Sequence, residues 1–299
     1  MGKFINPFTD MGFKMIFGQE VNKSLLIDFL NNLLEGERVI TDVQFLDKEQ
    51  LPSMENERGL IYDVYCKTDT DERIIIEMQN RWQLNFKDRA LLYLSRSIVE
   101  QGKRGTPGRS YAINAVYGVF FMNFKEVAIG RDFRTDIALM DMRHKSQFSD
   151  KLRMIFLQLP EFRKETDECE NYFERWIFVL KNMDILERMP WAAQYAAFKK
   201  LSEICETAAL TPQERSRYEE SIKVYRDNIA IAERDWMEGK AAVLAEGKAA
   251  GLAEGKAAGL AEGKAAGLAE VAKNLKEMGL PLPDISKATG LTEAEIEAL

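Results

Sequence analysis

The sequence predicts an α/β fold in which one mixed sheet is flanked by helices and followed by a helical C-terminal region. In the first half, runs rich in β-branched and aromatic residues alternate with runs whose apolar residues recur at helical spacing. Helical patterns dominate from Glu168 onward, and an eight-residue unit rich in Ala, Gly, Glu and Lys repeats from Glu238. Strands that are preceded and followed by helices suit a layered helix–sheet–helix arrangement.

The N-terminal part predicts two short helices, a strand and a hairpin. Residues 9–17 and 22–34 show helical spacing, and the apolar side chains of the second helix fall on one side. Residues 39–46 read as a strand. Two β-rich runs within residues 60–79 flank a polar turn, which indicates a hairpin.

The next segment predicts a helix and three more strands. Residues 86–101 form a helical pattern that ends at Gly102. Residues 111–121 are strongly β-forming, and residues 133–142 and 151–159 predict two strands around a charged turn. Together with the hairpin, these strands supply the sheet.

The repeat sets the predicted domain boundaries. We expect a first domain over residues 1–237 with a helical C-terminal part, a spacer over residues 238–270 and a small helical module over residues 271–299. Six glycines within the repeat oppose helix formation by about 1 kcal/mol each relative to Ala. The repeat is therefore either a helix in contact with a partner or a semi-flexible spacer.

The terminal module resembles a miniature helix-turn-helix, with Asp284 and Thr292 as expected helix caps. Its last helix carries Glu293, Glu295 and Glu297 and no basic residue. Because an acidic helix is poorly suited to a DNA groove, we expect this module to bind protein or a second copy of the chain.

The most informative stretch is the hairpin, because two carboxylates lie in β-rich sequence, where acids are disfavoured. Side chains alternate along a strand, so Glu77 and Gln79 share a face. With a connection of three or five residues, Asp63 lies opposite Glu77 or Gln79. The opposite face then forms the core, through Tyr62, Val64, Ile74, Ile76 and Met78. A divalent cation would relieve the repulsion between two such acids, although solvent-facing carboxylates are the structural alternative.

Composition narrows the chemistry further. The 299 residues carry a net charge of −7 and a single histidine, which excludes sites built on several histidines. We interpret His144 as an ordinary exposed side chain in a turn. The three distant cysteines predict reduced thiols in a cytoplasmic protein: Cys66, Cys169 and Cys205. Neither a membrane span nor a signal peptide is expected.

Any nucleic-acid surface must be local, because the overall balance is acidic. The strongest candidate is the Gly- and Pro-containing stretch 101–109, which carries Lys103, Arg104 and Arg109. It lacks the Gly-Lys-Ser/Thr ending of a P-loop. The alternative is a solvated basic loop without a ligand.

Several motifs, taken in order, resemble the Rpn family of recombination-promoting nucleases and transposases, within the PD-(D/E)XK nuclease superfamily. The matching residues are Asn-Pro-Phe-Thr-Asp-Met-Gly-Phe-Lys-Met-Ile-Phe-Gly at 6–18, Leu26–Leu34, Asp63, Glu77-Met-Gln79 and Arg89-x-x-x-Tyr93. The resemblance covers most of the first 240 residues, and an Ala/Gly tail is also typical of such proteins. It implies a restriction-endonuclease-like sheet and DNA cleavage.

The resemblance also implies a site. Asp63 and Glu77 would bind Mg²⁺ or Mn²⁺, and Asp10 matches an acid on the first helix that binds metal through water. The third position of the motif is usually Lys, and here it is Gln79, which can orient water or phosphate but carries no charge. The expected phosphate contacts come from three side chains: Arg89, Tyr93 and Lys14.

Two other functions stay open at this point. Gln79 and the acidic charge balance favour a catalytically silent module that binds DNA or protein. A transposase in the strict sense would also join strands, but its catalytic acids usually lie further apart along the chain than Asp63 and Glu77.

Overall fold

A computed structural model of the protein describes residues 2–50, 60–102, 112–126 and 128–299. The helices and strands are α1 (Asp10–Phe17), α2 (Lys23–Leu33), β1 (Val43–Phe45), β2 (Glu49–Gln50), β3 (Leu60–Ile61), β4 (Val64–Thr68), β5 (Arg73–Gln79), α3 (Phe86–Val99), β6 (Val116–Met122), β7 (Arg134–Met140), β8 (Gln147–Gln158), α4 (Tyr172–Asn182), α5 (Ala196–Ile204), α6 (Pro212–Glu277), α7 (Leu282–Thr289) and α8 (Glu293–Glu297). The chain divides into two units, residues 1–232 and 233–299.

One six-stranded mixed sheet organises the first unit. Its strand order is β1-β4-β5-β6-β8-β7, and β2 pairs separately with β3. Strands β5, β6 and β8 are parallel, and the other neighbours are antiparallel. The predicted α/β fold, with a mixed sheet flanked by helices, is therefore confirmed.

The central hairpin has the register that brings the two acids together. Strands β4 and β5 pair Val64 with Ile76 and Lys67 with Arg73, so the same register places Asp63 opposite Glu77. Asp63 itself lies in a bend between β3 and β4 and not inside a strand, which corrects the expectation. The ladder stops there because the Asp63 carboxylate takes the N–H of Met78.

Both faces of the sheet are buried, whereas the sequence predicted one core face. Val64, Ile74 and Ile76 pack on the side that includes α1, α2, α4 and α5. Tyr65 and Ile75 pack on the other side with residues of α3. Tyr62 also belongs to this second layer, because the bend at Asp63 breaks the alternation of the strand.

The first strand is shorter than predicted for a local reason. The Asn31 side chain donates to the Ile40 carbonyl (2.9 Å) and accepts from the Ile40 N–H (2.7 Å). These bonds remove Ile40 from the sheet ladder, and regular pairing begins only at Val43.

The second unit contains the C-terminal part of α6 together with the whole of α7 and α8. The repeat is helical, and the exposed fractions of Leu244, Leu252 and Leu260 are 72%, 75% and 70%. Ala272, Ile285 and Ile296 form a small core. Thr292 caps α8 as expected, but α7 begins at Leu282, so Asp284 lies within its first turn and is not its cap.

Candidate active site

The site is built on Asp63 and Glu77, which are locked together through the backbone. The N–H of Met78 donates to Oδ2 of Asp63 (2.8 Å), and the N–H of Asp63 donates to Oε1 of Glu77 (3.2 Å). Each carboxylate thus binds the backbone of the opposite hairpin segment. Glu77 is only 4% exposed, and Asp63 is half-buried. The two side chains are fixed before any ligand binds.

Their surroundings disfavour two negative charges. Burial raises the pKa of Asp63, and the N–H of Met78 lowers it only in part. Burial and the neighbouring Asp63 raise the pKa of Glu77 well above its ordinary value. Within the described residues, neither carboxylate has a Lys or Arg at ion-pair distance. No basic side chain among the described residues therefore neutralises either acid by direct contact.

Gln79 ends β5 on the same face as Glu77 and is 8% exposed. Its carbonyl accepts the N–H of Asn123, which follows β6 (2.9 Å). This bond ties the end of β5 to the next strand of the sheet. The structure thus places Gln79 one step along the strand face from Glu77, as predicted, and its role in the chemistry stays a prediction.

Arg89 brings a positive charge to the acids from α3. Its charge lowers the pKa of both Asp63 and Glu77. The guanidinium lies over the rings of Phe86 (5.9 Å) and Tyr93 (5.7 Å), and Nη1 donates to a side chain of the preceding loop, Gln83 (2.9 Å). Its Nη2 is buried and has no hydrogen-bond partner among the described residues. A buried donor of this kind is suited to an anionic ligand.

Tyr93 contacts the segment that precedes Asp63. Its hydroxyl donates to the carbonyl of Ile61 (3.4 Å), and its own carbonyl accepts from the hydroxyl of Tyr62 (3.2 Å). The two rings meet edge to face at 5.1 Å. Tyr93 therefore steadies the segment that leads into Asp63, and its predicted phosphate contact stays a prediction.

The motif at residues 6–18 is a device that fixes the start of α1. Oδ1 of Asn6 accepts the N–H of Phe8 (2.8 Å), and the Asn6 carbonyl accepts the hydroxyl of Thr9 (2.9 Å). Thr9 in turn caps the helix by accepting the N–H of Gly12 (3.0 Å). A Cβ at Gly12 would lie 2.3 Å from the Asn6 carbonyl oxygen, so this position requires glycine.

Helix α1 brings the charges of Asp10 and Lys14 near Asp63. Their side chains form an ion pair at 2.5 Å, and both charges act on Asp63. Asp10 is exposed, and no three Asp, Glu, His or Cys side chains in the described parts of the chain meet closely enough to hold a metal ion. Asp10 is thus near the pair without joining it, and its predicted contact through water stays a prediction.

The donor set nevertheless fits Mg²⁺. This ion usually keeps several waters and is held by one or two carboxylates together with substrate phosphate. Asp63 and Glu77 supply two hard oxygen ligands at one point, and burial raises the pKa of both, so that a cation bound there would stabilise their ionised forms. Mn²⁺ accepts the same type of oxygen ligand.

The remaining residues singled out in the sequence do not contribute to this site in the described structure. Lys103, Arg104 and Arg109 lie outside the described residues. His144 is exposed, and its Nδ1 lies 2.6 Å from Asp141 in the predicted turn. The cysteines are buried free thiols, and burial raises the pKa of Cys66 to about 12.

Comparison with known proteins gives one match. The family model described as "PD-(D/E)XK nuclease family transposase" matches residues 7–235. This match confirms the resemblance seen in the sequence. Neither the curated proteins nor the solved structures include a match to the chain. None of the described helices is long and apolar enough to cross a membrane.

Proposed function

The chain belongs to the PD-(D/E)XK nuclease family of transposases, and we propose that it is an endonuclease that hydrolyses DNA phosphodiester bonds with Mg²⁺ or Mn²⁺ at Asp63 and Glu77. One observation carries this proposal. A buried carboxylate, Glu77, and a half-buried one, Asp63, are fixed by backbone N–H groups and have no Lys or Arg at ion-pair distance in the described structure. Such a pair is costly for stability alone, and a divalent ion offsets the cost.

Each residue has a distinct part in this proposal. A bound ion would polarise the phosphate and lower the pKa of the attacking water. Asp63 and Glu77 hold the ion, and the Met78 N–H keeps Asp63 oriented. The Nη2 of Arg89, which has no partner among the described residues, would donate to the scissile phosphate. Gln79 orients water or phosphate by hydrogen bonds.

A second candidate is a silent module that binds DNA or protein. The neutral side chain of Gln79 favours it, because a charged side chain would stabilise the developing charge more strongly. Metal binding separates the two functions, since a silent site has no need to retain it. The proposal of a metal-dependent endonuclease includes DNA as the substrate and a role in recombination or in a mobile element.

The test is cleavage of supercoiled DNA with Mg²⁺ or Mn²⁺, in the wild type and in Asp63→Asn. We expect cleavage by the wild type, none in EDTA and none by the variant. Asp71→Asn is the matched control. It makes the same chemical change in the same hairpin, at a position with φ 62° that Asn adopts readily. Undiminished cleavage in EDTA, or by Asp63→Asn, would refute the metal site.

A further inference from the structure

A groove of about 660 Å³ lies between α1 and the first turns of α6, within the first unit. The end of β5 forms part of its lining through Met78 and Asn80. Asn80 is fixed there, because Nδ2 donates to the Phe8 carbonyl (2.8 Å) and Oδ1 accepts from Asn123 (3.0 Å). This volume falls within the range of small-molecule sites, roughly 300–1,000 Å³.

The groove lies beside Asp63, on the side of the sheet that carries α1, whereas the Glu77 side chain shares the other side with Ile75 and α3. Met78 connects the groove to Asp63, because its N–H holds Asp63 while the residue also lines the groove. Asp10 and Lys14 line the groove as well, and their charges act on Asp63. A DNA strand that approaches Asp63 from the α1 side would therefore have a neighbouring nucleotide at the groove.

The lining fits a neutral, flat and polarisable group. Six of its sixteen lining residues are apolar or aromatic: Phe8, Met11, Met15, Met78, Val224 and Tyr225. Aromatic rings stack on nucleobases, and methionine sulfur makes favourable contacts with aromatic rings. Amide side chains from Gln19 and Asn228 can bond to the edge of a base.

The charges argue against a second phosphate in the groove. The acids Asp10, Glu214 and Glu220 outnumber the bases Lys14 and Arg217. Lys14 is already paired with Asp10. An anion would meet net repulsion here, whereas an uncharged heterocycle would not.

We propose that this groove binds an unpaired nucleobase next to the scissile phosphate, so that the protein prefers DNA with a mispaired or extrahelical nucleotide at the cut. The inference rests on the proposed nuclease function. A base inside a duplex is stacked and paired, and it reaches the groove only by leaving the helix at a cost of a few kcal/mol. A mispaired base leaves at a lower cost, which is the source of the preference.

The test measures binding by Asp63→Asn, which we expect not to cleave, to a matched duplex and to one with a single mispaired base. We expect at least about tenfold tighter binding of the mispaired duplex, because less unpairing is needed. Adding Val224→Trp fills the groove from a position that is 55% exposed, and it should remove most of the preference. Glu220→Trp fills the groove from a second exposed position.

Ala230→Trp is the matched control, on an exposed position of α6 outside the groove lining, and it should keep the preference. Equal binding of both duplexes would overturn the proposal, as would a preference that survives both groove-filling variants. A change of assembly mass in Val224→Trp, with the preference intact, would make the groove a protein-binding surface instead.

A small substrate separates this inference from the proposed function. Bis(4-nitrophenyl) phosphate has no nucleobase, so Val224→Trp in the otherwise wild-type protein should hydrolyse it with Mn²⁺ as fast as the wild type. A wild type that hydrolyses neither this ester nor DNA would refute the nuclease function. A wild type that hydrolyses both substrates, while Asp63→Asn shows no preference for the mispaired duplex, would refute only the groove.

Discussion

Replacing Glu77 by Gln should stabilise the metal-free protein while removing most of its stabilisation by metal. Glu77 is 4% exposed, and burial and the charge of Asp63 both disfavour its ionised form. Gln removes that charge but keeps an oxygen to accept the N–H of Asp63. Glu77→Gln therefore keeps this hydrogen bond of the hairpin and removes the repulsion between the two acids.

The pH dependence follows from the direction of the pKa shift. The folded protein holds the Glu77 proton more tightly than the unfolded chain does, because the pKa is raised above 4.5. Stability of the wild type is therefore lost as pH rises from about 4.5, and the loss levels off above the raised pKa. The two proteins should be equally stable in acid and should diverge toward neutral pH, with Glu77→Gln the more stable.

Bound metal should stabilise the wild type more than Glu77→Gln. An ion at 100 times its Kd stabilises the folded state by about 2.7 kcal/mol if it does not bind the unfolded chain. For a unit of about this size, each kcal/mol raises Tm by about 2–4 °C, so saturating Mn²⁺ should raise the wild-type Tm by about 5–11 °C. The variant keeps one carboxylate, and we expect a rise of less than about 2 °C.

Differential scanning calorimetry at several pH values, in EDTA and in Mn²⁺, measures both effects. Asp71→Asn serves again as the control and should respond to Mn²⁺ like the wild type. A metal-free Glu77→Gln that melts below the wild type at neutral pH would contradict the electrostatic argument. An equal rise of Tm with Mn²⁺ in both proteins would show that Glu77 does not hold the ion.

Three further predictions test other parts of the molecule. Gln79→Lys should retain or increase cleavage and Gln79→Ala should lose at least about tenfold, or about 1.4 kcal/mol of barrier; equal rates in steady-state assays would show that position 79 does not touch the chemistry. Arg89→Met should lower kcat/KM for DNA by at least about tenfold, because the buried Nη2 has no partner in the described structure and is available to phosphate, while Tm should fall only slightly through the lost Gln83 and ring contacts; unchanged kinetics would remove Arg89 from the site. Deletion of residues 238–299 should leave cleavage at saturating DNA intact, and either the number of chains per assembly in light scattering or the recruitment of DNA at low concentration should fall; an insoluble product would place the domain boundary elsewhere.

The hairpin shows how far local sequence reaches. Alternation predicted that Asp63 would lie opposite Glu77 or Gln79 if the connection had three or five residues, and the pairing of Val64 with Ile76 places it opposite Glu77. The bend at Asp63 was not predictable from strand propensity. The bend forms because the Asp63 carboxylate, and not a backbone carbonyl, accepts the N–H of Met78.

The position of α1 beside the acids depends on contacts between residues that are far apart in the sequence. The Asn6 N–H donates to the hydroxyl of Tyr218 (2.8 Å), and its side chain donates to Asp184 (2.9 Å). These partners are 212 and 178 residues away along the chain, so no local pattern reveals them. The sequence marked the motif by resemblance alone, while its physical role of anchoring α1 beside the acids needs the folded chain.

The positive charge that the third motif position lacks reaches the site from two helices. Gln79 is neutral, whereas Arg89 on α3 and Lys14 on α1 both lower the Asp63 pKa. Lys14 is held by Asp10, but Nη2 of Arg89 has no partner in the described structure. Arg89 is also fixed by Gln83 and by two rings, so its charge is oriented before substrate binds. A neutral residue at position 79 therefore does not leave the site without a cation, and a Lys added there should increase activity only modestly.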